Sequence, residues 1–264
     1  MKKIIAIIMA VALTALCFVG CSKSTNGDSK PIVVAEKGSA GETVAQTLTD
    51  YDYTAVDTQA KALMEVNAGT ADAAIVDYVM SIGSIGEGTD FKNLVVKGDG
   101  YNPESYGIAF RKGSDFTAKV NEAIKALKDE GKLAEIGAKY KLQDLITATD
   151  SFEEFKKADS NSDYDYIMNK GELVIGITYF APMNYENEAG ELVGFETEFA
   201  KAVCDKLGLT PKFVEINWNA KETELAAKNI DCIWNGMTID DDRKANMSIT
   251  IPYMQNKQVM VVKK

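Results

Sequence analysis

The chain has 264 residues and a formal net charge of −10. This acidic balance argues against nucleic acid or an anionic membrane surface as the main partner, because both require a basic patch. The sequence contains no histidine, which excludes Ser-His-Asp and Cys-His catalysis and histidine metal sites. Its length suits one large domain or two small lobes.

The first thirty residues have the layout of a secretory signal and a tether. Two lysines precede an apolar run at 4–19, which is shorter than the roughly 20 residues that a spanning helix needs. Cys21 follows a glycine and resembles the acylated cysteine of a bacterial lipobox, although Phe18 stands where leucine is usual. We expect residues 1–20 to be a signal peptide, Cys21 to be lipidated and residues 21–30 to form a tether. A plain signal peptide with a cysteine nearby is the alternative.

The next part of the chain reads as alternating strands and helices. Short apolar runs predict buried strands at Ile32–Ala35, Ala73–Val76, Leu94–Val96 and Tyr106–Phe110. Helical periodicity predicts two amphipathic helices within Phe116–Lys141, divided at Gly131. The polar stretch 147–170 predicts a linker, with a short helix at the capping-box sequence Ser151–Glu154.

Strands and helices alternate again from residue 171 onward. Strands are predicted at Leu173–Ile177, Lys212–Ile216, Ile230–Trp234 and Gln258–Val262, and helices at Glu196–Leu207 and Lys221–Lys228. This alternation implies α/β lobes with largely parallel sheets, which bind ligands at the carboxyl ends of their strands. Cys204 and Cys232 lie in apolar patterns and are expected to be buried thiols rather than a disulfide.

The strongest local signal is the run from Trp234 to Arg243, where a buried strand leads into a capped helix. Arg243 is one of only two arginines, and its planar guanidinium can hold a carboxylate through two parallel bonds. Thr238 adds a hydroxyl. The alternative is a surface arginine that pairs with Asp240 to Asp242 on its own helix.

Three weaker signals also follow predicted strands. The turn Lys37–Gly41 offers backbone N–H groups to an anion, or is an ordinary N-cap turn. Asp77 is predicted either to receive an ammonium group or to cap the next helix. Phe180 and Trp218 clamp a ligand side chain, or plug the core. Together, Arg, Thr, Asp and two rings are complementary to a free α-amino acid, and no nucleophile–base pair accompanies them.

Residues 171–264 resemble the first lobe of the polar-amino-acid type of extracellular solute-binding proteins of ABC transporters. The matching segments are Gly171–Gly176, Ala181–Met183, Gly190–Glu196, Ile230–Thr238 and Asp242-Arg243. Residues 31–146 resemble the second lobe and the closing helices, through Val34–Glu42, Ala71–Asp77 and Tyr106–Gly113. The resemblance implies a two-lobed, type II periplasmic-binding-protein-like α/β fold with a ligand cleft between the lobes.

The two parts come in the opposite order in that family, so this chain resembles a circular permutant. The implied domains are lobe 2 at 31–105, a hinge crossing and closing helices at 106–146, a linker joining the family's usual termini at 147–170, and lobe 1 at 171–264. One of the two strands that cross between lobes would then stop at the chain end, which is expected to loosen the hinge.

The resemblance also assigns roles to residues. It implies that Arg243, Thr238 and the N–H groups of Ser39 and Ala40 hold the ligand's α-carboxylate, that Asp77 and the Gly236 carbonyl hold its α-ammonium, and that Phe180 and Trp218 enclose its side chain. Asn235 completes the expected ligand-binding set. Members of that family that take basic amino acids often carry an acid shortly before the aromatic residue that matches Phe180. No acid stands there in this chain, so the resemblance favours a neutral polar or larger amino acid over a basic one.

We therefore expect a monomeric lipoprotein on the outer face of the bacterial cell membrane that delivers a free amino acid to ABC permease subunits. No cofactor, metal or catalytic residue is expected. The alternatives are a permuted relic that no longer binds, a sensor module, and a dehydratase-type enzyme whose acid is Glu36 or Glu222.

Overall fold

Two sheets organise the protein, and each draws strands from distant parts of the chain. The structure, a computed structural model, describes residues 29–147, 151–160 and 162–264. The expected signal peptide and the lipidation site at Cys21 lie outside these ranges. No helix within them is long and apolar enough to cross a lipid bilayer.

The strands of the described residues are β1 (Ile32–Glu36), β2 (Asp52–Val56), β3 (Ala73–Asp77), β4 (Leu94–Lys97), β5 (Pro103–Tyr106), β6 (Ala109–Arg111), β7 (Glu172–Ile177), β8 (Tyr185–Glu186), β9 (Leu192–Val193), β10 (Thr210–Glu215), β11 (Cys232–Ile233), β12 (Met247–Ile249) and β13 (Met254–Lys263). Their α-helices are α1 (Ala40–Thr47), α2 (Gln59–Ala68), α3 (Tyr78–Ser84), α4 (Phe116–Asp129), α5 (Lys132–Lys139), α6 (Asp163–Lys170), α7 (Phe195–Leu207), α8 (Lys221–Ala226) and α9 (Asp241–Asn246).

The first sheet has the strand order β2-β1-β3-β13-β4. Strands β1, β2 and β3 are parallel, whereas β13 runs antiparallel to both of its neighbours. Strand β3 is buried along its whole length, as expected for a sheet covered on both faces. Helices α1, α2 and α3 pack against this sheet and complete what we call lobe 2.

The second sheet has the order β10-β7-β11-β6-β12. Strands β7, β10 and β11 are parallel, and β6 runs antiparallel to β11 and β12. Helix α7 packs on β10, and the closing helices α4 and α5 pack on α7. These elements, with α6, α8 and α9, form lobe 1.

The chain crosses between the lobes twice, and the two crossing segments pair with each other. Strand β5 lies antiparallel to the first residues of β13, with Tyr106 opposite Met254. The single strand expected at Tyr106–Phe110 is interrupted at Gly107 and Ile108, so that β5 lies at the hinge and β6 in lobe 1.

The position of β13 corrects two expectations. Its ten residues, Met254–Lys263, start at the hinge and lie between β3 and β4, so they belong to lobe 2 and not to the lobe expected at 171–264. Both crossings are therefore covalently continuous in this chain. The premise of the expected loosening, a lost crossing, is wrong, because β13 carries the chain from its pairing with β5 into the lobe 2 sheet.

The polar stretch 147–170 also differs from expectation. Residues 151–158 form no helix, and the helix of this stretch is α6. Ser162 caps α6 by accepting a hydrogen bond from the backbone N–H of Asp165 at 3.1 Å. The Asp115 carboxylate holds this start in place, because it accepts hydrogen bonds from the Ser162 hydroxyl and the Tyr164 N–H.

The two cysteines of the described residues are buried and free, as expected. Cys204 lies on α7 and Cys232 on β11, inside the lobe 1 core. Burial raises the pKa of the Cys204 thiol to about 12, so the group stays a protonated, unreactive thiol.

Candidate functional site

A narrow cavity of about 10 Å³ lies between the lobes. Residues of both lobes line it: Glu36, Ser39, Ala40, Gln59, Asp77, Trp218, Asn235, Gly236, Thr238 and Arg243. Eight of the nine expected ligand-binding residues are among them. The lobes also touch beside the cavity, where Gly38 of lobe 2 approaches Asn219 and Lys221 of lobe 1.

Arg243 is fixed at the start of α9 by its own neighbours. Its backbone N–H donates to the Asp240 carboxylate at 2.8 Å, and Nη1 donates to the Thr238 carbonyl at 2.8 Å. Nη2 lies 3.3 Å from the Gly38 carbonyl of lobe 2. Arg243 does pair with Asp240 on its own helix, with Nε 3.3 Å from Oδ2. However, it is only 8% exposed and lines the cavity, so it is not a surface arginine.

A second cation, Lys221, lies beside Arg243 and was not anticipated from the sequence. It is 5% exposed, and its Nζ donates to the carbonyls of Gly38 at 3.1 Å and Trp218 at 3.3 Å. Burial, with a contribution from nearby Arg243, lowers the pKa of Lys221 to about 8. Nothing in the local sequence distinguishes this lysine from the others, because its burial depends on contact between the lobes.

The turn before α1 serves as an N-cap and also lines the cavity. The Ser39 hydroxyl accepts a hydrogen bond from the Glu42 N–H at 3.1 Å, and the Gly38 N–H donates to the Glu42 carboxylate at 2.6 Å. The first N–H groups of a helix have no partners inside that helix. The geometry of this turn therefore agrees both with an ordinary N-cap and with N–H groups that bind an anion.

Asp77 ends β3 at the opposite wall of the cavity. Its carboxylate accepts hydrogen bonds from the side-chain amides of Asn256 at 2.6 Å, Gln258 at 2.7 Å and Gln59. It makes no side-chain capping bond to α3. None of the described residues forms an ion pair with it, so neutral donors hold a buried carboxylate at the edge of the cavity.

Glu36 ends β1, the strand next to β3, and brings a second carboxyl group to the same wall. It is 4% exposed, and its Oε1 atom has no hydrogen-bond partner among the described residues. Burial, reinforced by Asp77, raises the pKa of Glu36 to about 8. The sequence offered Glu36 only as the acid of an enzyme, and Gln59 was missed altogether.

The loop after β11 contains two expected residues, Gly236 and Asn235, whose roles differ. Gly236 has φ of +56°, and a Cβ there would lie 2.7 Å from the Phe180 ring, so only glycine fits. Asn235 donates to the Thr178 carbonyl at 2.8 Å and to the Asn184 side chain at 2.9 Å. Its side chain therefore holds the loop and is not free for a ligand.

Only one of the two expected aromatic residues lines the cavity. Trp218 lines it, but Phe180 packs over Gly236 and lies behind the cavity wall. Phe180 is therefore the one expected site residue outside the lining. A pair of rings on either side of a ligand side chain therefore stays a prediction.

The same polar groups connect the cavity to the hinge. Asn256 and Gln258, both on β13, donate to Asp77 and also to Glu104 on β5, with Gln258 2.7 Å from the Glu104 carboxyl. Burial and nearby Asp77 raise the pKa of Glu104 to about 8. A change at the Asp77 carboxylate is thus linked through two amides to both crossing strands.

Comparison with known proteins gives matches that cover part of the chain. Residues 173–264 match the family described as bacterial extracellular solute-binding proteins, family 3. A probable amino-acid ABC transporter-binding protein of Haemophilus influenzae is 32% identical over 120 residues, which are 45% of this chain and 46% of the relative. The L-cystine-binding protein TcyJ of Escherichia coli is 30% identical over 99 residues, 37% of each chain.

A solved structure is also similar. A polar amino acid ABC uptake transporter substrate binding protein from Streptococcus thermophilus is 35% identical over 32% of each chain, with a TM-score of 0.31. This chain spans less than half of the length of the two curated relatives. Residues 173–264, which supply Arg243, Thr238 and Trp218, are similar to the bacterial extracellular solute-binding proteins of family 3.

Proposed function

We propose that this protein binds a free amino acid between its two lobes and delivers it to the permease of an ABC importer. The observation that carries the proposal is that a buried guanidinium of lobe 1 and a buried carboxylate of lobe 2 line the same cavity. Arg243 is complementary to the ligand's α-carboxylate, and Asp77 to its α-ammonium. The names of the relatives support the same function.

Binding is coupled to contact between the lobes. Arg243 and Asp77 belong to different lobes, so a ligand engages both groups only when the lobes have closed. A ligand that interacts with both lobes stabilises the closed form over the open one. The permease would then receive the closed complex.

The test is thermal unfolding of residues 22–264 in the presence of each of the twenty amino acids, cystine and ornithine. A ligand at about 100 times its Kd adds about 2.7 kcal/mol of stability, which raises Tm by several degrees. We expect one or a few amino acids to raise Tm, and Arg243→Ala to abolish the shift. A cooperative transition that no amino acid moves would favour a relic without ligand binding.

The finer ligand preference needs revision. The sequence favoured a neutral ligand because no acid precedes Phe180, but the relatives include an L-cystine-binding and an arginine-binding protein. Glu36 also brings an unpaired carboxyl oxygen to the cavity. The proposal at this level is therefore a free amino acid of any side-chain charge.

We also propose the cellular context that the sequence implies. A lipid on Cys21 would hold a monomer at the outer face of the membrane, near the permease. Replacing Cys21 by serine should release the protein into the soluble fraction, whereas retention of the variant in the membrane fraction would contradict lipid anchoring.

Catalysis is the competing function, and one observation favours it. A carboxyl group with a pKa of about 8 is protonated at neutral pH, so Glu36, which lines the cavity, has a proton to donate. We propose binding without turnover. Conversion of a cyclohexadienyl acid such as prephenate by the wild type, and not by Glu36→Gln, would establish the enzyme instead.

A further inference from the structure

The same two amides bridge a pair of carboxyl groups at the hinge. The side-chain NH2 groups of Asn256 and Gln258, both on β13, each donate to Oδ1 of Asp77 and to Oε1 of Glu104 on β5. The bonds to Asp77 are 2.6 and 2.7 Å long, and the bond from Gln258 to Glu104 is 2.7 Å long. Because each amide has two hydrogens, these four bonds use both amides completely. The two carboxyl oxygens therefore lie close together.

At neutral pH this pair of carboxyl groups carries one proton. Two carboxylates at close range repel each other, so one of them stays protonated. Glu104 is the member that keeps the proton, because burial, the charge of Asp77 and a hydrogen bond with Asp77 raise its pKa to about 8. Asp77 is the carboxylate that the proposed function assigns to the ligand's α-ammonium.

The Asp77 carboxylate has one acceptor position left for a ligand. A carboxylate offers about four lone-pair sites. Asn256 and Gln258 use two of them at Oδ1, and Gln59 uses one at Oδ2. Asp77 also lines the cavity between the lobes. An α-ammonium at the remaining position brings a positive charge close to Glu104, and a nearby positive charge favours the ionised form of a carboxyl group.

We propose that an amino acid that binds at Asp77 releases the proton of Glu104, so that ligand binding is linked to pH at the hinge. The inference rests on the amino-acid binding function proposed above. The O–H bond of the Glu104 carboxyl breaks, and because Glu104 is partly exposed its proton passes to water. The ionised Glu104 keeps its two amide donors and binds them more strongly. Proton release therefore tightens the bridge between β5 and β13.

Two other acids face Asp77 and are alternative sources of a released proton. Burial and Asp77 raise the pKa of Glu36 on β1 to about 8. Burial, with a smaller contribution from Asp77, raises the pKa of Glu196 on α7 to about 7. Neither acid is part of the amide bridge, because the two amides have no hydrogen left for them. A variant of Glu104 must therefore be compared with a variant of Glu36.

The remaining groups around the pair do not exchange a proton in this pH range. Tyr106 on β5 and Tyr253 are buried, and burial holds their pKa values well above the usual range of a phenol. Lys257 follows Asn256 on β13, but its Nζ donates to the Asp99 carbonyl at 2.7 Å. These residues leave the three glutamates as the groups to test.

The experiment is calorimetric titration of residues 22–264 at pH 7.5 in phosphate, HEPES and Tris buffers. Each of the twenty standard amino acids and L-cystine is screened by thermal unfolding, and the one that raises Tm most is titrated. The buffer takes up a released proton, so the slope of the measured enthalpy against the buffer's ionisation enthalpy counts protons. We expect the wild type to release about half a proton more than Glu104→Gln, since a nearby opposite charge lowers a carboxyl pKa by about 1–3 units.

The pH profile of the Kd gives a second readout, which a merely structural role of Glu104 would not change. Glutamine at this position is neutral and can accept hydrogen bonds from both amides. The ratio of the Kd of Glu104→Gln to that of the wild type should grow about fivefold or more from pH 6 to pH 8. Glu36→Gln should keep this growth, and Glu188→Gln changes an exposed glutamate as the control. Circular dichroism verifies that each variant folds.

The outcomes separate this inference from the proposed function. Equal proton release by the wild type and Glu104→Gln, with amino-acid binding intact, would overturn the inference and leave the proposed function standing. Release that disappears in Glu36→Gln and persists in Glu104→Gln would do the same and would assign the proton to Glu36. A folded wild type that binds no amino acid at all would overturn both proposals together.

Discussion

Glu36 is a carboxyl group that the folded protein holds in its protonated form at neutral pH. Burial, reinforced by Asp77 and partly offset by Lys221, raises its pKa from 4.5 to about 8. Between these two values the folded protein binds a proton that the unfolded chain releases. Stability is therefore highest below pH 4.5 for this group, and it falls as the pH rises toward 8.

Glu36→Gln should flatten this dependence. Without ligand, the wild type should lose about 1 kcal/mol more per pH unit than the variant between pH 5 and pH 8, because one linked proton is worth about 1.4 kcal/mol per unit. Urea unfolding at pH 5, 6, 7 and 8 measures the difference. Burial also raises the pKa of Glu104 to about 8 and that of Glu196 to about 7, but both groups remain in the variant and cancel. Parallel curves would mean that Glu36 is ionised in the folded protein.

At this scale, the sequence predicted the residues whose chemistry is visible locally. Arg243 is a rare arginine at a helix start, and Asp77 follows an apolar strand, so both could be proposed before the structure was known. Lys221 could not be selected, and Glu36 was named only as the acid of an enzyme, because the burial of both residues is visible only in the folded protein. Phe180 was expected in the cavity by resemblance, but its ring packs against Gly236 and is not part of the lining.

Helix α3 forms a second contact between the lobes, with Ala181 and Pro182. A Cβ on Gly83 would lie 2.7 Å from Cδ of Pro182 in lobe 1, and the neighbouring Ser84 hydroxyl is 3.5 Å from the Ala181 carbonyl. Gly83 has no left-handed backbone, so alanine suits its helical conformation. Its small size is needed for close approach of the lobes, not for folding of the helix.

Gly83→Ala should therefore weaken closure of the lobes on a ligand without lowering the stability of the unliganded protein. The unliganded variant should be as stable as the wild type or up to about 1 kcal/mol more stable, because alanine favours the helix. Overpacking against Pro182 costs about 1–3 kcal/mol in the closed form, which raises the ligand Kd about tenfold to hundredfold. Calorimetric titration and thermal unfolding measure the two effects. The control is Ser84→Ala, which adds no atoms to the same helix and should change the Kd little. Equal Kd values for the two variants would show that α3 and Pro182 do not meet in the complex.

The predictability of the elements follows their burial. Strands β1, β3 and β7 are buried and appear in the sequence as apolar runs, whereas β2 is half exposed and β12 has only three residues, and neither was anticipated. The capping box at Ser151–Glu154 predicted a helix in the wrong place. Whether a capping pattern starts a helix also depends on contacts outside its own turn. In this protein Asp115 makes such contacts with the start of α6.

At the scale of the molecule, the first and last strands of the chain, β1 and β13, lie close together in the lobe 2 sheet. Val33 on β1 and Val262 on β13 both pair with Ala73 on β3, from opposite sides. Two strand spacings separate them, which is about 10 Å. We propose that this gap is where a circular permutation opened the family's usual chain. The order of motifs pointed to a permutation, but the position of the opening within a sheet required the three-dimensional pairing.

Joining the two chain ends with a linker should make lobe 2 one continuous segment of chain. A linker of about four residues from Lys264 to Pro31 spans the distance, and new ends between Glu153 and Glu154 open an exposed segment. The rearranged protein should bind the same amino acid with a Kd similar to the original, because both crossing strands stay continuous. A matched control with the same linker but new ends between Asn256 and Lys257 cuts a crossing strand. It should bind more weakly, and equal Kd values for all three proteins would show that covalent crossings contribute nothing.

The position of β13 also sets the order in which the protein can assemble during synthesis. Strands β3 and β4 are made early, but the strand between them arrives last: Gln258 bonds to Asp77, 181 residues earlier in the chain. Until then the facing edges of β3 and β4 have no partners, and such edges pair readily with other chains. Contacts this distant in sequence also form slowly. The yield of folded protein should therefore depend on how long these edges are shielded while the rest of the chain is being made.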